Sequence, residues 1–313
     1  MDDNTFLDFK GGHQIGLTLG IHTKLPDLEN RVNLRDNTDP MNIRLGNPDL
    51  RMAVTPDVGA YFSYKMKRGW QRIQWAYQRT FNAIAMGYVY DTKTGVRTYR
   101  PDNVNGNWIF DASYSLHLDF GKDKKQNLDV PLNYSYSQNV DLVGTTVGTP
   151  PSLSTVHRQT LSLSPTFKAD IDKHHFELTC QPTWERLTGT RTGFQDFSAF
   201  TCRTSLSAIL KLPWKLDLST DLSLYSRTGY TDNALNTNDL VWNGRLSRPV
   251  LKDKLVLMVD GFDILGQLSN VTRIINAQGR TETYTNVLPR YVLFHAVWRM
   301  NHQPMRKGEQ KKE

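Results

Sequence analysis

The sequence lacks any long apolar run. Its cleanest one, residues 255–259, is far shorter than the roughly 18 residues that a membrane-spanning helix needs. The N-terminal segment, residues 1–10, starts with acidic side chains and has no apolar centre, so it does not predict a secretory signal. A transmembrane helix is therefore not expected.

Cysteine is also scarce. Cys180 and Cys202 are the only two in the chain, which excludes a disulfide-rich scaffold and any metal site of four thiolates. Each cysteine lies at one of the alternating apolar positions of a predicted strand, and one loop joins the two strands. A strand register centred near Arg191 would place them opposite each other, so a disulfide and two free, lipid-facing thiols both remain open.

The common catalytic motifs are missing. The sequence contains no G-x-S-x-G, no phosphate-binding loop, no dinucleotide fingerprint and no H-E-x-x-H. Ser154 and His157 stand three apart on a predicted strand and should face opposite ways. We therefore expect no enzyme activity and no catalytic residue.

Two other pairs of side chains resemble parts of a metal site or a paired-carboxylate site, but neither pair predicts such a site. His174 and His175 are adjacent in a short turn, without the further ligands that a metal site needs. Asp260 and Asp263 are typical of the turn at a strand end rather than of a paired-carboxylate site. We expect no metal and no cofactor, and the sequence does not identify ligand-binding residues.

The charge balance does not favour nucleic acid as a partner. The net charge is +7 and the isoelectric point is near 9.3, but Lys and Arg are spread along the chain. Several lie in predicted short turns: Lys67, Arg68, Lys122, Lys124, Lys125, Lys252 and Lys254. Apolar residues make up 38% and the mean hydropathy is -0.52, a balance that favours a sheet with one apolar and one wet face.

Strict alternation of apolar and polar residues is the main signal that is present. Residues 13–24 place Ile15, Leu17 and Leu19 on one side and small or polar residues on the other. The last regular stretch, residues 289–300, has an apolar face and a mixed face that carries His295 and Arg299. Pro165 interrupts a weaker strand between them.

The connections alternate between short turns and long loops. About twelve strands of about 10–15 residues follow one another, which is long for a soluble sheet and suits tilted membrane strands. This alternation predicts an all-β, antiparallel up-and-down transmembrane β-barrel with short periplasmic turns and long external loops. An even strand count would place both chain ends on the periplasmic side. The longest loops are predicted at residues 25–51, 83–106 and 266–288.

Several stretches resemble one family in an order that covers nearly the whole chain. They are L-R-D-N-T-D-P-M-N-I-R-L-G-N-P-D-L-R, G-V-R-T-Y-R-P-D-N-V-N-G-N-W, L-P-W-K-L-D-L-S-T-D-L-S-L-Y-S-R-T-G-Y, W-N-G-R-L-S-R, D-G-F-D-I-L-G-Q and the closing P-R-Y-V-L-F-H-A-V-W-R-M. They are similar to the Bacteroidota-type outer-membrane β-barrel family, the C-terminal barrel part of TonB-dependent receptors.

The resemblance implies a bacterial outer-membrane protein for nutrient uptake. It implies that residues 1–301 are part of a barrel of about 22 strands, followed by a polar basic tail at residues 302–313. Without plug and TonB box, this chain is not expected to transport alone. The expected partners are outer-membrane lipid, the barrel-assembly machinery through the terminal strand and, in a full-length receptor, a surface lipoprotein and an imported ligand.

Two points remain open at the level of sequence. The family usually ends its terminal strand in an aromatic residue, whereas Met300 stands here. If the strands do not close by themselves, the edges at residues 13–24 and 289–300 stay unpaired.

The alternative to an outer-membrane barrel for nutrient uptake is a soluble or surface-exposed all-β binding module, for example for carbohydrate. A third hypothesis is a barrel enzyme such as a lipase or protease.

Overall fold

The computed structural model describes residues 2–9, 11–121, 123–149, 152–230, 236–267, 271–276, 279–284 and 290–299. These ranges are almost entirely strand, with one helical turn α1 (Leu28–Arg31) and one turn of 3-10 helix (Pro213–Lys215). Within them, no helix is long and apolar enough to cross a membrane.

The first half of the chain forms nine strands in the described ranges. They are β1 (Asp2–Phe9), β2 (His13–Lys24), β3 (Arg35–Asp36), β4 (Asn42–Leu45), β5 (Ala53–Met66), β6 (Gly69–Thr80), β7 (Ala83–Tyr90), β8 (Arg97–Val104) and β9 (Asn107–Phe120).

The strands of the second half follow in the same numbering. They are β10 (Gln126–Val143), β11 (Thr145–Thr146), β12 (Ser152–Leu163), β13 (Thr166–Ile171), β14 (His174–Gly189), β15 (Phe197–Leu212), β16 (Leu216–Thr228), β17 (Asn238–Val250), β18 (Leu255–Phe262), β19 (Val271–Asn276), β20 (Gly279–Tyr284) and β21 (Tyr291–Trp298).

One large antiparallel sheet runs through the chain almost in sequence order. Its strands follow as β1-β2-β5-β6-β9-β10-β12-β14-β15-β16-β17-β18-β21, with β13 between β10 and β14. The predicted all-β, up-and-down architecture is confirmed. Among the described strands, β1 pairs only with β2 and β21 only with β18, so the hydrogen-bonded ladder has two edges.

The sheet contains one strand more than the sequence indicated. β1 pairs along its whole length with β2, from Asp2 beside Gly20 to Phe9 beside His13, so the first edge is β1 and not residues 13–24. Its sequence, D-D-N-T-F-L-D-F, has too many acidic residues for a clear alternation. The path has 13 strands, so the start of β1 lies on the loop side, against the expectation from an even count.

Register sorts the side chains of the large sheet into an apolar and a polar face. Directly paired positions on successive strands form one apolar row: Leu118, Leu128, Phe167, Leu178, Leu206, Leu222 and Trp242. The adjacent positions form a wholly polar row: Asp119, Asn127, Lys168, Glu177, Ser207, Asp221 and Asn243. Successive strand residues point to opposite faces, so the two rows lie on opposite sides of the wall.

Pro165 interrupts its strand as predicted. Proline has no backbone N–H and cannot continue a ladder on both sides. The chain therefore divides into β12, which ends at Leu163, and β13, which begins at Thr166. The Pro165 carbonyl still accepts a hydrogen bond of 3.0 Å from the N–H of Cys180, which keeps the strand beside β14.

The stretches that we expected to be loops at residues 25–51 and 83–106 contain four strands of a second sheet, and β11 supplies the fifth. Its order is β11-β7-β8-β4-β3, and the pairs β4 with β8 and β11 with β7 are parallel. Local alternation cannot reveal such pairing, because its partners come from different loops. The buried cluster of Ala85, Val104 and Val140 lies where this sheet packs on the end of β10.

The length of β10 explains how that second sheet is supported. β10 has 18 residues and is therefore about 60 Å long, well beyond a hydrocarbon layer of about 30 Å even when tilted. Its far end continues on the loop side and contacts β7 and β8 of the second sheet. In a membrane-spanning wall, the second sheet would therefore lie outside the membrane.

The terminal strand has the face that the sequence predicted. In β21, Val292, Phe294 and Trp298 share one side and are exposed, Phe294 to 81%. Pro289, Met300 and residues 301–313 lie outside the described residues, so the predictions about Met300 and the tail stay predictions.

The two cysteines lie close together on the apolar face but are not directly opposite. Cys180 pairs with Thr204, and Cys202 pairs with Pro182, so the register is shifted by two residues from the one considered above. The thiols are free, and their Sγ atoms are 3.7 Å apart.

Oxidation of the folded protein should join these thiols. We expect copper–phenanthroline in detergent micelles to close a Cys180–Cys202 disulfide, the two thiol hydrogens and two electrons passing to the oxidant. Peptide mass mapping checks this outcome, with Cys202→Ser as the control that gives no intrachain bridge. Cross-linked dimers without an intrachain bridge would contradict the geometry.

Charge should be tolerated on one face of β16 and not on the other. Leu222 lies in the apolar row, whereas Ser219 lies on the polar face of the same strand. We expect Leu222→Arg to lower the unfolding free energy in lipid vesicles by about 2–4 kcal/mol, and Ser219→Arg to have a clearly smaller effect. Urea titration measures both, and equal losses would argue against lipid contact at Leu222.

Candidate functional site

The polar face of the large sheet is concave. One cavity of about 470 Å³ is lined from six strands that follow one another in the sheet, from β2 to β12. Because side chains of one face converge on a common space, that face curves inward. Most of the residues that line it have polar side chains, among them Thr18, Asp57, Tyr61, Arg72, Gln74, Asp111, Ser113, Asn133, Ser135, Thr160 and Ser162.

Gly16 makes room for the largest side chain in this cavity. A Cβ atom on Gly16 would lie 2.0 Å from Cε1 of Tyr61, its register partner. The ring therefore lies over the bare β2 backbone, where the guanidinium of Arg72 stacks on it at 4.0 Å from the ring centroid. Nε of Arg72 is buried, without a hydrogen-bond partner among the described residues.

Gly20, four residues further along β2, does the same for a carboxylate. A Cβ atom there would lie 2.4 Å from Oδ1 of Asp57. That oxygen lies 3.2 Å from Nε2 of His22. The two glycines of β2 thus create the space that a tyrosine and an aspartate occupy, and they shape this part of the concave face.

A second cavity, of about 400 Å³, lies further along the same face. At its wall Asp260 of β18 is only 2% exposed. Nη2 of Arg245 on β17 donates a hydrogen bond of 2.9 Å to Asp260, and Nε2 of His295 on β21 lies 2.9 Å from the same carboxylate. The last three strands of the sheet are joined through this one carboxylate.

Serines and an aspartate complete the wall between β15 and β16. The Ser207 hydroxyl donates to Asp221 at 2.8 Å, and the Ser223 hydroxyl donates to the same carboxylate at 3.0 Å. Ser205 and Ser223 are 2.9 Å apart, and Ser223 is 1% exposed. These polar groups satisfy one another's hydrogen bonds, so this strip can be wetted or covered without unsatisfied side-chain donors.

The structure separates the residue pairs that the sequence brought to notice. Ser154 is buried on the polar face of β12. His157 lies on the other face, where its Nδ1 atom is 3.4 Å from the Tyr136 hydroxyl. His174 accepts a hydrogen bond from the N–H of Lys211, while His175 lies 2.7 Å from Asp170.

The two aspartates at the end of β18 also diverge. Asp260 faces Arg245, while Asp263 accepts a hydrogen bond of 3.0 Å from the N–H of Gln267 in the following turn. Among the described residues, no group of three or more His, Cys, Asp or Glu side chains could hold a metal ion.

A third cavity, of about 750 Å³, opens on the loop side between the second sheet and the ends of β10 and β12. Asp39 stands at its rim, and its carboxylate accepts hydrogen bonds from Asn42 and from the N–H of Met41. The Asn42 side chain first, and then the Met41 N–H, hold the pKa of Asp39 below its ordinary value. The stabilisation that these hydrogen bonds give the turn is therefore fully present above the ordinary pKa and is lost as the pH falls through the lowered one.

Sequence reasoning singled out no residue of the first cavity, and it named Ser154, His175 and Asp260 of the other two cavities only in pairs that predicted no site. Tyr61 and Arg72 looked like ordinary members of alternating strands, and only the register of β2, β5 and β6 brings them together. The glycines Gly16 and Gly20, spaced by four in an otherwise regular strand, were the available signal, since glycine inside a strand often marks a close approach.

Long antiparallel strands with an apolar face toward the outside and a concave polar face define a transmembrane β-barrel wall. The sequence matches the outer membrane protein beta-barrel family over residues 8–298, and the chain belongs to that family. Its place is the bacterial outer membrane. Among curated proteins none matches this chain.

Filling the space at Gly16 should destabilise the wall through Tyr61. We expect Gly16→Ala to lower the unfolding free energy by about 1–3 kcal/mol, because the ring must leave its position under Arg72. Gly16→Ala combined with Tyr61→Ala should lose less than the sum, with a coupling of about 0.5–3 kcal/mol in urea titrations.

Gly244→Ala is the matched control for this cycle. An added Cβ at Gly244 would meet only Ile264, at 3.9 Å. The interpretation fails if Gly16→Ala and Gly244→Ala cost the same, or if the double substitution is simply additive.

Proposed function

We propose that this chain takes part in nutrient uptake across the outer membrane, as a barrel wall similar to that of TonB-dependent receptors. The observation that carries the proposal is the concave polar face with its two cavities, set behind an apolar face for lipid.

The two sheet edges are part of the proposal. β1 and β21 each have one described partner, and an unpaired backbone group in lipid costs several kcal/mol. We therefore propose that further strands complete the wall, as in a barrel of about 22 strands. Gated transport then needs the plug and the TonB box that accompany such a barrel.

The proposed role is binding and passage, without catalysis. Ser154 and His157 lie on opposite faces, and Asp260 is held by Arg245 and His295. The proposed partners are lipid at the apolar rows, the barrel-assembly machinery at β21, and a surface lipoprotein with the imported ligand on the loop side.

Growth of the native host tests this role. We expect deletion of the gene to abolish growth on one or more nutrients too large for porins, and to leave growth on small, porin-permeable nutrients unchanged. Collapsing the inner-membrane potential with a protonophore should stop uptake of the same bulky nutrients in the wild type. Restoring the complete gene should restore growth, and unchanged growth of the deletion strain on all bulky nutrients would overturn the proposal.

A further inference from the structure

The loop-side cavity has an ordered wall on the second sheet. Cross-strand pairing places Arg44 beside Tyr99 and Tyr99 beside Tyr88. The two rings lie 5.5 Å apart between centroids. Tyr88 in turn lies over Gly144, where an added Cβ would be 2.0 Å from its Cζ. Three strands and one glycine thus hold a guanidinium and two aromatic rings in a row at the cavity.

The opposite wall contains a buried polar atom that lacks a partner. Ser154 is 3% exposed, and its Oγ has no hydrogen-bond partner among the described residues. Leaving a buried hydroxyl unpaired costs about 1–3 kcal/mol. This hydroxyl lines the cavity, so a ligand there could satisfy it.

The unengaged charges at the cavity are positive. Arg191 and Arg44 both line it, and neither side chain forms a hydrogen bond or a close ion pair with a described residue. The Arg44 guanidinium only attracts Asp36 from a distance. The acids are already engaged: Asp39 within its own turn, and Asp141 with the N–H of Leu142 and a further contact. The two guanidinium groups are therefore the charged hydrogen-bond donors that the cavity offers to an incoming molecule.

We propose that this cavity binds an acidic saccharide, a short chain of sugar rings that carry carboxylates. The guanidinium groups of Arg44 and Arg191 bind the carboxylate, since guanidinium matches carboxylate in charge and geometry. Tyr88 and Tyr99 pack against a sugar ring, and the Ser154 hydroxyl bonds a ring hydroxyl. A volume of about 750 Å³ admits two to three rings.

The inference rests on the proposed function only for the uptake of the ligand after it has bound, because binding itself can be measured on the purified protein. Calorimetry in detergent micelles with digalacturonate and trigalacturonate, the uncharged methyl ester of each, and citrate tests it directly. We expect saturable binding of the acidic sugars, weakened by salt, and at least about tenfold weaker binding of the esters and of citrate. No saturable binding, equal binding of the esters, or equal binding of citrate would each overturn the proposal.

Substitutions locate the site. Arg44→Gln and Arg191→Gln should each weaken trigalacturonate binding by about 10- to 100-fold, and Tyr88→Ala should also weaken it. Arg35→Gln is the matched control. Arg35 lies on the same sheet and pairs with Leu45, so it points to the opposite face of the sheet from Arg44. Unchanged affinity in both Gln variants at positions 44 and 191, or an equal loss in the control, would overturn the assignment.

Ser154→Ala separates binding from folding. Removing an unpaired buried hydroxyl should leave the unfolding midpoint unchanged or higher, yet weaken trigalacturonate binding by about tenfold. A purely structural Ser154 would give unchanged affinity, which would overturn its role as a ligand contact. Loss of uptake in cells with intact binding in micelles would instead count against the proposed function alone.

Discussion

The register of the large antiparallel sheet is the constraint on which everything else depends. A shift of one residue between two strands would exchange their faces, placing Asp221 or Glu177 in lipid and Leu222 or Leu178 in the concave space. The pairing instead aligns apolar with apolar and polar with polar across seven strands, from β9 to β17 by way of β13. Each strand thereby specifies the position of its neighbours.

Glycine residues and contacts between charged side chains shape the concave face of this sheet. Gly16 and Gly20 leave the β2 backbone bare, and Tyr61 and Asp57 occupy the space. Further along the sheet, Asp260 joins β17, β18 and β21 through its contacts with Arg245 and His295. Such contacts are worth most where water is partly excluded, and they fix the order and spacing of the final strands.

The second sheet shows how a membrane wall supports structure outside the membrane. β10 is long enough to leave the lipid, and its far end, with β12, forms one side of the loop-side cavity. The small cluster of Ala85, Val104 and Val140 anchors the sheet there. Rigid strands rather than free loops therefore position Tyr88, Tyr99 and Arg44, which is the condition for a preorganised binding site.

The sequence by itself determined the all-β class, the alternation within each strand, the break at Pro165 and the apolar face of the terminal strand, because all of these follow from neighbours two residues apart. It did not reveal β1, whose acidic residues hide the alternation, or the offset between Cys180 and Cys202, which depends on register. The parallel pairing of β4 with β8, the meeting of Tyr61 with Arg72 and the loop-side cavity were decided only by the tertiary structure. Those contacts join residues far apart in the chain, and a local pattern carries no information about which distant strand will be its partner.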